Sequence, residues 1–101
     1  MPQRHTIIPL DSFPPGSKQA FTIADRRVAL FNVEGKLHAI DDTCPHAGAS
    51  LAAGSLKGTN ISCPWHAIAF DVTSGRACLK GVDALQSFPV FVNGNQIEVE
   101  V

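Results

Sequence analysis

The sequence predicts an all-β fold of short antiparallel strands, and three observations carry the prediction. Apolar residues come in continuous or alternating runs of roughly four to eight, not at the 3.6-residue spacing of a helix. Turn residues punctuate those runs, with Glu34-Gly35 and Asn93-Gly94-Asn95 the strongest hairpin signals. No repeat, linker or low-complexity stretch interrupts the pattern, so the 101 residues are expected to form a single domain, 1–101.

The opening segment, MPQRHTIIPLDSFPPG, holds one apolar patch at residues 7–10, with Pro9 inside it. That is too short for the core of an export signal and far too short to span a bilayer, so a cytoplasmic protein with no membrane partner is expected. Residues 19–23 read as a strand, followed by a polar turn at Ala24-Asp25-Arg26. Residues 27–33 then meet 36–40 across Glu34-Gly35. Residues 60–62 and 69–72 are two short strands, Thr73-Ser74-Gly75 is a turn, and 76–78 return. Residues 87–92 and 96–101 close the chain as a hairpin. One segment competes: residues 47–57 are alanine-rich, which favours helix. Gly48, Gly54 and Gly58 punctuate this region, and its apolar residues lack helical spacing, so it reads as a loop with room for one helical turn.

Hydrophobic residues make up 45% of the chain, enough for a core but a thin one at this length. A bound metal cluster would therefore matter for stability as well as chemistry. The formal charge is −1 and no run of one sign occurs, so no nucleic-acid surface is implied.

The chain has only three cysteines and four histidines, yet two of each stand at the ends of one segment. Cys44-Pro45-His46 opens it and Cys63-Pro64-Trp65-His66 closes it, with sixteen residues between His46 and Cys63. From composition alone, such a pairing arises by chance on the order of once in a few thousand. Thiolates and neutral imidazoles select zinc or iron–sulfur iron over magnesium or calcium. A reducing compartment and an odd cysteine count argue against a disulfide. A zinc site is the competing reading. Zinc fingers, however, pair Cys with Cys and His with His, whereas each box here mixes the two. Pro45 and Pro64 stiffen the two loops by fixing φ, while Gly48 and Gly54 permit bends or close backbone approach.

Cys-x-His followed by Cys-x-x-His at this distance resembles the Rieske 2Fe-2S signature. Leu51, Gly54 and Gly58 between the boxes, Phe70-Asp71 after the second, and Gly75 in the next turn agree with it. The resemblance runs from about residue 27 to 101 and is best to the small Rieske-type ferredoxins of ring-hydroxylating dioxygenase systems. The small subunit of nitrite reductase is a close relative. It implies a three-sheet antiparallel fold with two cluster-binding hairpin loops at one tip and one 2Fe-2S cluster. Cys44 and Cys63 would hold one iron, His46 and His66 the other. Two thiolates and two neutral imidazoles leave the oxidised site near zero charge instead of about −2, which raises the potential. The imidazole N–H groups would couple reduction to protonation.

High-potential members of the family brace the cluster with an extra cysteine in each loop; the matching positions here are Ala49 and Trp65. They also donate Ser and Tyr hydroxyls to the cluster sulfurs, where this chain has Ile68 and Phe70. The resemblance therefore implies a low-potential carrier, passing single electrons from a flavoprotein reductase to a terminal oxygenase and monomeric when free. The alternatives are a bound subunit of a larger oxidoreductase such as nitrite reductase, or a zinc-stabilised binding module. A chain this short has no room for a substrate pocket and a second iron site, so it is not expected to be an enzyme itself. Trp65 reads as a hydrophobic lid, Cys78 as a small buried hydrophobe, and His38 as a solvent-face residue. His5 reads as a polar residue near a loose terminus. Asp41 and Asp42 read as a solvated turn, with docking of a basic partner as the competing role. Phe21, Phe31, Phe70, Phe88 and Phe91 are expected in the core by default, but Phe88 and Phe91 would face opposite sides of one strand, which leaves room for one of them to be exposed.

Overall fold

The computed structural model describes residues 3–43, 50–63, 68–78, 81–82 and 84–101. Among them run β1 (Arg4–Pro9), β2 (Lys18–Ile23), β3 (Arg26–Val33), β4 (Lys36–Asp41), β5 (Ser55–Lys57) and β6 (Asn60–Ser62). β7 (Ala69–Asp71), β8 (Ser87–Phe88), β9 (Val90–Asn93) and β10 (Gln96–Glu100) follow. They form three antiparallel sheets, ordered β1-β10-β9, β2-β3-β4-β8 and β5-β6-β7. The all-β, three-sheet expectation holds.

The four-stranded sheet lies between two cores, which explains why β3 reads as a continuous apolar run. Ala29 and Phe31 enter the core shared with Ile61, Phe70 and Val72 of the β5-β6-β7 side. Val28 and Leu30 point the other way, into the core shared with Ile97 and Val99 of β10. A strand buried on both faces has no polar side to alternate with. The tight turns follow from backbone chemistry. Ala24 and Asp25 take positive φ (49° and 67°), as do Glu34 and Gly35 (53° and 92°), which matches the right-handed twist of the flanking strands.

Several expectations are corrected. The strand expected over 87–92 is two strands in two sheets: β8 pairs with β4 and β9 with β10. Pro89, which has no N–H to donate, stands at the break. Phe88 is buried, whereas Phe91 is only half-buried beneath the Arg4 guanidinium, 3.6 Å from its ring centre. Phe21 is likewise half-buried. β1 was not legible in the opening segment, because it is an edge strand with a bulge and a terminal proline. The segment over 47–57 contains a 3-10 turn at Leu51–Ala53, as expected, but then the short strand β5. Residues 76–78 return by a single bridge, Phe70 to Ala77, not as a strand.

Candidate metal centre

The described residues that flank the two Cys/His boxes are tied to one another. An antiparallel bridge between Thr43 and Ser50 closes the first loop, residues 44–49. The second, residues 64–67, is closed by the Cys63 N–H donating to the Ile68 carbonyl at 2.8 Å and by the pairing of Ser62 with Ala69. The chain that follows the first box packs against the stem of the second. A Cβ on Gly54 would run into the Ser62 carbonyl oxygen and stand 3.0 Å from its carbon. Gly54 has extended φ and ψ (−82°, −163°), so close approach, not a left-handed backbone, requires glycine there.

Of the four expected ligands, Cys63 lies among the described residues. It is 2% exposed and belongs to the core cluster with Leu51, Ile61 and Phe70. Cys44, His46 and His66 lie outside the described residues, as do Pro45, Gly48, Ala49, Pro64 and Trp65. Phe70 is fully buried, and half-buried Ile68 packs against the same core. Neither carries a hydroxyl, so the neighbours of Cys63 at these two positions are apolar.

The donor set and this setting fit an iron–sulfur group. Two thiols and two imidazoles stand in the two boxes, and Cys63, the one of these thiols among the described residues, is shielded from water. Burial of that kind protects a redox site from solvent and sets its potential.

The first loop has a second support that sequence reasoning missed. Asp42, expected in a solvated turn, is 1% exposed. Its Oδ1 accepts from the Ser50 hydroxyl (2.9 Å) and the Ala52 N–H (3.0 Å), and its Oδ2 from Arg27 Nη2 (3.0 Å). The Asp42 backbone carbonyl accepts from the Leu51 N–H at 2.7 Å. Lys18 Nζ donates to the Ala52 carbonyl at 2.8 Å. Asp41, its neighbour, is half-buried and pairs with Arg26 at 3.2 Å. The only sequence signal was strand alternation, which sends adjacent aspartates to opposite sides.

Two further expectations change. Cys78 is exposed, its thiol 3.5 Å from Asn60 Oδ1, and is not a core residue. His38 is half-buried on β4. Loss of solvent lowers its pKa, against the opposing pull of Asp71. The Asp71 carboxyl is itself held below its ordinary value, chiefly by the Thr73 hydroxyl (2.6 Å). Among the described residues, no helix is long and apolar enough to cross a membrane.

A family model for the Rieske [2Fe-2S] domain matches residues 3–89. The ferredoxin component of the naphthalene 1,2-dioxygenase system of Pseudomonas aeruginosa is 33% identical over 95 residues, covering 93% of this chain and 91% of that protein. A chain from the complex of reduced oxygenase and oxidized ferredoxin in carbazole 1,9a-dioxygenase superposes with a TM-score of 0.88 at 28% identity, covering 95% of this chain and 91% of its own. A chain named as an NADH-dependent nitrite reductase small subunit from Mycobacterium tuberculosis shares the fold alone, with a TM-score of 0.88 at 23% identity over 100% of this chain and 96% of its own. With the buried thiol, the paired loop stems and the three sheets, these matches show that the chain belongs to the Rieske [2Fe-2S] domain family.

Proposed function

We propose that the chain, as one domain over residues 1–101, is the ferredoxin of a ring-hydroxylating dioxygenase system. It takes single electrons from a flavoprotein reductase and delivers them to the terminal oxygenase. The observation that carries this reading is the buried Cys63 at the foot of a loop whose stem packs against the chain that follows the first box. The names of the relatives supply the system.

Cys44, His46, Cys63 and His66 would hold one Rieske-type 2Fe-2S cluster, which when bound supplies a one-electron couple. The two cysteines contribute both of the site's thiolate charges and the histidines none, so an electron enters at less cost than with four thiolates. With the cluster bound, the second ring nitrogen of each histidine would hold its proton more tightly in the reduced state. Ile68 and Phe70 exclude water without donating a hydrogen bond, which keeps the potential at the low end of the Rieske range. Gly48 and Ala49, with Pro45, Pro64 and Trp65, complete the two loops. The chain itself performs no hydroxylation, and it works in the cytoplasm as a soluble monomer.

The test is a purification followed by visible and EPR spectra, then reduction by NADH through a ferredoxin reductase and reoxidation by an oxygenase component. A colourless protein with one zinc per chain would sink the reading in favour of a structural zinc module. A protein that carries the cluster but elutes only within a larger oxidoreductase would favour the nitrite-reductase-type subunit, whose fold this chain shares.

A further inference from the structure

We infer that Asp42 is a positioning residue: its carboxylate latches the first ligand loop shut, and the Asp42–Arg27 pair supplies a fixed charge that biases the site's reduction potential. The inference rests on the proposed ligand set, in which Cys44 is a ligand.

The latch is visible in the bonds. Asp42 precedes the loop and Ser50 and Ala52 follow it, so one carboxylate oxygen joins both ends. The backbone adds a third tie, from the Leu51 N–H to the Asp42 carbonyl. Lys18 holds the far side of the same 3-10 turn through the Ala52 carbonyl. The two described ends of the segment that carries Cys44 and His46 are thereby held together. Ligand loops held by such outer partners lose less freedom on binding.

The electrostatic part follows from burial. Asp42 is 1% exposed, and two peptide units cannot separate its Cα from that of Cys44 by more than about 7 Å. A carboxylate in this position opposes the arrival of an electron. The Arg27 side chain, 54% exposed, offsets it only in part, because solvent and salt screen the guanidinium far more than the buried carboxylate.

Three variants of the whole chain separate the two roles. Asp42→Asn keeps an oxygen for Ser50 and Ala52 but removes the charge, so the loop stays latched and the potential rises. Arg27→Gln leaves the buried carboxylate without its partner, so the potential falls, by less, and the fall shrinks as salt is added. Asp42→Ala removes the latch, so iron is lost to a chelator about tenfold faster or more, the factor expected for roughly two lost hydrogen bonds. Hydrogen-exchange mass spectrometry of the peptide spanning residues 50–54 should show faster exchange in Asp42→Ala and not in Asp42→Asn. If Asp42→Ala does not accumulate, Ser50→Ala replaces it, with a smaller acceleration in the same direction. Potentials that shift the same way in Asp42→Asn and Arg27→Gln overturn the charge role. Exchange over residues 50–54 that is unchanged in the latch variant overturns the latch. A wild-type protein that binds no cluster overturns the ligand reading instead, while the exchange experiment still decides the latch.

Discussion

Replacing Gly54 by alanine tests whether the chain after the first loop must touch the stem of the second. The added methyl would enter the space of the Ser62 carbonyl oxygen and lie 3.0 Å from the Ser62 carbon and 3.2 Å from the Leu51 oxygen. All three atoms are backbone, so no side-chain rotation relieves the contact. Alanine is at ease in the extended conformation of Gly54, and restricting the unfolded chain gains about 0.4–1 kcal/mol. Overpacking against fixed backbone costs about 1–3 kcal/mol, and a clash this close belongs at the upper end, so the net effect is destabilising by about 2 kcal/mol. For a domain near 100 residues each kcal/mol lowers Tm by roughly 4–8 °C. Ser62 immediately precedes Cys63, so moving its carbonyl should also reduce bound iron. Gly58→Ala is the control: it has positive φ (58°) but nothing within 4 Å of the new methyl. It should cost about 1 kcal/mol of backbone strain and leave iron content unchanged. Thermal unfolding and iron analysis of both variants decide the matter. Equal losses in the two, or full iron in Gly54→Ala with an unchanged Tm, would refute the reasoning.

Further outcomes follow from other residues. Cys63→Ser should abolish the visible spectrum, whereas Cys78→Ser should leave it intact and remove the thiol that reacts with Ellman's reagent in the folded protein. Phe70→Tyr puts a hydroxyl into a fully buried position; if it donates to the cluster the potential rises, and voltammetry reads the shift. His46→Cys or His66→Cys adds a thiolate charge and should lower the potential, again by voltammetry. His38 favours its neutral form in the fold because burial lowers its pKa from 6.5. The unfolded chain therefore binds the extra proton first, and the His38 contribution to stability is lost as pH falls from 6.5 through the folded value. Asp71, also depressed, contributes above the ordinary carboxyl range and loses that contribution as pH falls through its folded value. Urea midpoints against pH should slope less steeply in His38→Asn than in the wild type.

The strand pairs joined by short turns were legible because their information is local. Glu34-Gly35 and Asn93-Gly94-Asn95 mark β3–β4 and β9–β10, and the two-sided apolar run of β3 marks the central sheet. β1 was not, since its partner among the described strands, β10, lies at the other end of the chain and an edge strand needs no regular pattern. Nor was the break at Pro89, which depends on two sheets competing for adjacent residues. Of the site, residue types and spacing sufficed to propose four ligands and to point to the metal chemistry, because thiolates and imidazoles are scarce and their pairing is improbable by chance. Burial was another matter. Cys78 and Cys63 look alike in the sequence, as do Asp41 and Asp42, yet one of each pair is buried and the other is not.

The sequence by itself determined the class of fold, the family and the four side chains proposed to hold a cluster, since those depend on residue identity and short-range order. Only the tertiary structure decided that Gly54 must lack a side chain, that Asp42 closes the first loop, and that Arg27 and Lys18 reach it from other strands. Each of these is a contact between residues eight or more positions apart: strand pairing brings Gly54 to Ser62 and Arg27 to Asp42, while packing of the 3-10 turn on β2 brings Lys18 to Ala52.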